Sequence, residues 1–181
     1  MNKVWTHDKS SALWEPDENE KEKWPEPFFH DLKLEPIKQN GQTCVPTSLA
    51  VLTRGTGADV GADDFKHTIN TQSPHTWSKA LAPFEMQLAY CSHDVRLLGC
   101  YIEELIEYDD LFLLCFYSDL KLPVEPDDRG FLGPSHVVTL YKDNIIDTAK
   151  NESCKARDYK RLKSPTKRIF RVVPKGHPRC V

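Results

Sequence analysis

The sequence contains no apolar run near the roughly 18 residues that a helix needs to cross a bilayer, which excludes a membrane-spanning reading. Its first residues, MNKVWTHDKSS, lack the apolar stretch of an export signal, so a cytoplasmic location is expected, with delivery elsewhere by a signal-independent route left open. Charge of one sign is also missing. With 24 basic and 27 acidic residues the net charge is -3, far from the basic footprint of a nucleic-acid binder. The six cysteines show no C-x2-C spacing, so the chain has no metal-site signature and no cofactor is expected. CSHDVRLLGC, with Cys91, His93 and Cys100, is the nearest approach. Without an export signal the cysteines read as thiols rather than a disulfide framework. Cys91, Cys100 and Cys115 lie among apolar residues, the setting of small buried hydrophobes. Neither an internal repeat nor a low-complexity segment occurs.

What remains is a chain of 181 residues, long enough for one domain with a substantial core. Residues 1–36 carry Trp5, Trp14, Trp24, Phe28 and Phe29 in an acidic, proline-rich stretch with no period of 2 or 3.6. This reads as an irregular arm whose aromatics anchor it to the body, or which serves as a prosegment or docks a protein partner. The body spans 37–181. Val45, Leu49 and Leu52 recur at helical spacing, Pro46 falls in the first turn, and Gly55 and Gly57 end the run, which predicts a short buried helix beginning at Cys44. Further helices are expected near 61–69, 75–84 and within RLLGCYIEELIEYDD. Strands are expected at MQLAYC, LFLLCFYS, HVVTLY, NIIDT and RIFRVVP. Helices first and strands mostly last, without repeated β-α-β units, favour an α+β domain with helices packed on one side of an antiparallel sheet. The basic stretch KARDYKRLKSPTKR has no aromatic alternation and reads as a solvated edge strand and loop.

The stretch QNGQTCVPTS places a lone thiol where a helix begins. Unpaired N–H groups and the positive end of the helix dipole favour a thiolate over a thiol, and a neighbouring imidazolium does so further. His136 is the candidate imidazole, because it opens a strand after a Gly-Pro-Ser turn. A base of this kind is held in one tautomer by a third group, for which Asp147 on the adjacent strand is the first choice. With Asp143 and Asn144 as the turn, Asp147 falls opposite Leu140 and Asn151 opposite His136, all on one face. A flat ladder would then leave Asp147 roughly 13 Å from His136, at about 3.3 Å per residue, and Asn151 becomes the alternative. Gln39 is the candidate oxyanion donor beside the backbone N–H of Cys44.

These segments resemble papain-like cysteine peptidases, in particular the bacterial branch akin to double-glycine leader peptidases. QNGQTCVPTSLAVL is similar to the nucleophile segment, and WSKAL, IEELIEYDDLFLLCFY, SHVVTLY and NIIDT to the helices, strand and hairpin that follow. The resemblance covers roughly residues 37 to 150. It implies a papain-like α+β fold, with Cys44 as nucleophile, His136 as base, Asp147 as orienting acid and Gln39 as oxyanion donor. The chain departs from the pattern in having Val45 where the family has glycine. Gln39 also stands five rather than six residues before Cys44, which brings in Gln42 as a substitute.

The expected activity is cleavage of a peptide or isopeptide bond in a protein or peptide substrate through an acyl-enzyme. Acyl transfer to an amine, or deamidation of a glutamine, would use the same residues. A non-catalytic binding module that keeps the fold is the reading from another class. The loop PVEPDDRGFLGPS, with Asp127, Asp128 and Arg129, precedes the histidine and would lie at the cleft rim. Trp77 reads as core or as cleft wall. His7, His30, His67, His75, His93 and His177 have no comparable setting.

Overall fold

The computed structural model describes residues 26–92, 94–119, 125–128, 130 and 132–181. Trp5, Trp14, Trp24, His7, His93 and Arg129 lie outside the described residues.

Among the described residues, four α-helices and six strands follow in the order α1 (Cys44–Arg54), α2 (Ala62–Lys66), α3 (Pro74–Leu81), β1 (Met86–Ser92), α4 (Leu98–Glu107), β2 (Leu111–Tyr117), β3 (Ser135–Tyr141), β4 (Asn144–Asp147), β5 (Glu152–Lys155) and β6 (Thr166–Pro174). The strands form one antiparallel sheet in the order β1-β6-β2-β3-β4-β5, so the last strand is inserted between the first two. This is the expected α+β architecture, with β5 as an edge strand in the segment after β4.

The helices do not all lie on one side. α1, α2 and α3 cover one face, where Leu49, Leu52, Phe65, Trp77 and Leu81 pack with Leu88, Leu113, Phe170 and Val172. α4 covers the other, where Leu98, Tyr101, Ile102 and Leu105 meet Phe112, Leu114, Phe116, Val138 and Leu140. The reason is in β2, LFLLCFY, in which every residue is buried. A strand apolar on both faces needs a layer on each. Cys91 and Cys115 are buried as expected, but Cys100 is exposed. The inward stripe of α4 runs through Leu98, Tyr101, Ile102 and Leu105 at helical spacing, and Cys100 falls off it.

Residues 26–43 approach α1 without regular structure. Phe28 packs on the α4 side and Phe29 on the α1 side of the sheet, as anchors for this segment. Among the described residues no helix is long and apolar enough to cross a membrane.

Candidate active site

Cys44 is the first residue of α1, and α1 packs against β3. The stripe of Val45, Leu49 and Leu52 is buried against the sheet and fixes where that helix begins. The N-terminal end is left open. Thr43, the residue before the helix, makes no side-chain cap; its hydroxyl turns back to donate to the Asn40 carbonyl at 2.9 Å and to accept from the Asn40 N–H at 3.2 Å. No acidic residue stands in the first turn. The first N–H groups of a helix have no acceptor within it, and among the described residues neither a Thr43 cap nor a first-turn carboxylate takes that place.

His136 is the second residue of β3, directly opposite Phe116 of β2. β4 reaches β3 only from Thr139 to Tyr141, so the first residues of β3 are paired on one side. The segment before Cys44 runs beside that gap, tied by a hydrogen bond of 2.9 Å from the Gln39 N–H to the Thr148 carbonyl just past β4. The two halves of the site therefore meet where the sheet is incomplete.

The hairpin differs from the expected register. Its turn is Lys142 and Asp143, with Tyr141 opposite Asn144 and Thr139 opposite Ile146. Lys142 takes a left-handed φ of 56°, a conformation that a lysine does not announce in sequence. The register moves by two, so the face is kept while the distance shrinks. Asp147 comes level with Val138, a diagonal neighbour of His136 at about 7 to 8 Å between α-carbons. The two side chains then meet, His136 Nε2 to Asp147 Oδ1, at 2.8 Å. Asn151 sits instead in the β4–β5 turn with φ 54° and is exposed, so it is not opposite His136.

Asp147 is almost fully buried and has three donors. Oδ1 accepts from His136 Nε2 and from the Ala149 N–H at 2.9 Å, while Oδ2 accepts from the Tyr159 hydroxyl at 2.8 Å. Burial alone would raise its pKa; these hydrogen bonds and the His136 charge outweigh it and hold the carboxyl below its ordinary range. Burial likewise works against protonation of His136. The Asp147 hydrogen bond, then the nearby Cys44 side chain, and the charges of both reverse that and push the imidazole up to about 9. With Nε2 committed to Asp147, Nδ1 is the nitrogen left for the thiol. Phe116 sets its edge against the imidazole at 5.6 Å and 81° and also touches Tyr159, which holds the ring plane.

Gln39 lines the same cavity as Cys44, His136 and Asp147. Its Oε1 accepts from the Thr148 hydroxyl at 2.8 Å, and its Nε2 donates one proton to the Gly41 carbonyl at 2.9 Å. The amide is thereby oriented, with a second proton to give. Gln42 also lines the cavity but is exposed. Trp77 is both core and wall: it is buried, donates to the Asn70 carbonyl at 2.8 Å and faces the cavity. The cavity encloses about 590 Å³. Among the described residues no group of His, Cys, Asp and Glu is arranged to hold a metal.

Tyr159 is the contributor that the sequence did not disclose. It lies in the basic stretch read as solvated, yet it is buried, and burial first, then the Asp147 charge, push its phenol upward so that it stays a donor. Arg161, Lys167 and Arg168 from the same stretch also line the cavity.

No family model and no curated protein matches the chain. Four solved chains are similar in structure. Among them is the peptidase domain of Streptococcus ComA, described as a bi-functional ABC transporter involved in a quorum sensing pathway. The likeness has a TM-score of 0.49 at 12% identity and covers 78% of this chain and 99% of that chain.

Proposed function

We propose that the chain is a thiol hydrolase that cleaves a peptide or isopeptide bond through Cys44, His136 and Asp147. The observation that carries this reading is one imidazole held by a buried carboxylate at 2.8 Å, lining the same cavity as the Cys44 thiol at the start of α1. The imidazolium is the counter-ion that a thiolate needs.

In this mechanism the Cys44 thiolate attacks the carbonyl carbon, and the carbonyl electron pair moves onto oxygen. The Cys44 N–H and the free Nε2 proton of Gln39 are the donors for that oxyanion. On collapse the carbon–nitrogen bond breaks and His136 gives its proton to the departing amine, leaving a thioester and a neutral imidazole. His136 then takes a proton from water, the resulting hydroxide attacks the thioester, and the acid leaves as the thiolate and imidazolium are restored. Asp147 stays ionised throughout and, with Tyr159 and Ala149 behind it, keeps Nε2 protonated and the ring in place.

The test is a broad-specificity peptidyl epoxide followed by peptide mapping. A single adduct on Cys44, lost in His136→Ala, is expected. An adduct spread over the cysteines without preference, or one indifferent to His136→Ala, would overturn the reading.

A further inference from the structure

The protein is acidic overall, at net charge -3, but the wall of its cavity is not. Lys150, Arg161, Lys167 and Arg168 line it, and the one carboxylate among the described lining residues, Asp147, is taken up by His136, Tyr159 and Ala149. Lys150 lies 3.8 Å from Glu152, and Arg161 donates to the Ser118 carbonyl. Lys167 and Arg168 have no carboxylate partner among the described residues.

How those two reach the cavity is written in the sheet. Along β2 and β6, Cys115 pairs with Arg168, but the next residue, Phe116, pairs with Thr166. Lys167 is therefore an extra residue, a β-bulge. Paired residues share a face, so Arg168 lies on the face of Cys115, which is the face covered by α1. In a regular ladder Lys167 would point to the opposite face. The bulge re-aims it, so that two successive cations open onto one cavity. Lys167 lies over the Tyr117 ring at 5.7 Å, and both it and Arg168 are half-buried. Burial, and then the neighbouring Arg168, work against the Lys167 charge and lower its pKa. Two adjacent cations, partly desolvated and with no carboxylate counter-ion among the described residues, are an arrangement that a bound carboxylate would relieve.

We infer that the cleft selects an acidic peptide, one with an aspartate or glutamate side chain close to the carbonyl that Cys44 attacks, and that Lys167 and Arg168 recognise its carboxylate. This rests on the thiol-hydrolase reading of the same cavity. It assigns specificity to residues outside the triad.

The experiment compares the rates at which Cys44 is alkylated by iodoacetate and by iodoacetamide, which differ in charge and little in size. Wild type, the double variant Lys167→Gln/Arg168→Gln, and Arg168→Lys are measured by peptide mapping. The iodoacetate to iodoacetamide ratio should fall about tenfold in the double variant, the size of a lost charge-assisted hydrogen bond, and stay near wild type in Arg168→Lys. In a second arm, pooled hexapeptides carrying one aspartate should protect Cys44 from iodoacetamide at lower concentration than the matching asparagine pool. The double variant should lose that difference. A ratio unmoved by the double variant, or equal protection by the two pools in wild type, overturns the inference while leaving the hydrolase reading intact. If Cys44 in wild type reacts no faster than the other five thiols with either reagent, the hydrolase reading itself has failed.

Discussion

Two buried carboxylates stand near opposite ends of β3, each bonded to a nitrogen cation, and they do different things. Asp147 meets His136 beside an open cavity, and its partner can lose a proton. Asp110 meets Arg171, whose Nε donates at 2.7 Å, and neither residue has any exposed surface. Around the second pair everything is structural. The Phe28 and Phe29 N–H groups donate to Asp110 at 3.0 and 3.1 Å, Arg171 Nη2 donates to the Glu26 carbonyl, and the guanidinium lies 4.4 Å over the Phe28 ring. Burial raises the Asp110 carboxyl, with Arg171 pulling the other way, whereas Asp147 is held low. A permanent cation in a fully buried core clasps one segment to another. A titratable cation at the rim of a cavity keeps a proton to move. On the proposed mechanism, the difference between a clamp and a catalytic pair lies in the partner and its access, not in the carboxylate.

Removing each acid in turn separates the two pairs by the largest effects. Asp147→Ala should lower turnover by about 10⁴-fold, the size of effect when an imidazole loses its orienting acid, and should cost the fold much less. Asp110→Ala should do the reverse: it leaves the Arg171 charge buried and unpaired, so denaturant unfolding should show a loss of about 3 to 5 kcal/mol. Equal stability losses in the two variants would erase the distinction. Next in size, Gln39→Ala should lower turnover by about 10²-fold with an unchanged unfolding midpoint, as for loss of one oxyanion donor. Tyr159→Phe removes a single hydrogen bond behind Asp147 and should cost about tenfold. Because Tyr159 bonds to Asp147, which bonds to His136, the same variant should also move the alkaline limb of the rate profile, which a purely structural role would not do.

The remaining effect concerns pH. The folded pKa of His136 is raised from its ordinary 6.5 to about 9, so the stability it contributes is fully present below about pH 6.5 and fades as pH rises through about 9. Turnover should fall over the same alkaline range, because the neutral imidazole no longer supplies a proton to the leaving amine. Thermal unfolding of wild type against His136→Gln across this window should show a difference that narrows with rising pH.

Much of this was legible in the chain and some of it was not. The helix at Cys44 announced itself through Val45, Leu49, Leu52 and the glycines beyond, because a buried face at a helical period is a local signal. The face of the hairpin was legible because strand alternation survives a register change of two. The register itself was not, since it depends on Lys142 adopting a left-handed φ. Cys100 could have been assigned to the surface from its place off the α4 stripe. Tyr159 and the Lys167–Arg168 bulge carried no local signal. Their places at the site arise only once β5 turns the chain back beside β4 and β6 pairs with β2, which are contacts between residues far apart in sequence.

The central claim is that one imidazole, fixed by Asp147, serves the Cys44 thiol. The most direct measurement is the rate of Cys44 alkylation by iodoacetamide at mildly acidic pH in wild type, His136→Ala and Asp147→Ala, with the other five thiols as internal controls. Wild-type Cys44 should outpace every control, His136→Ala should bring it down to their level, and Asp147→Ala should fall between. A wild-type Cys44 no faster than the controls, or one whose rate is the same in all three proteins, would contradict it.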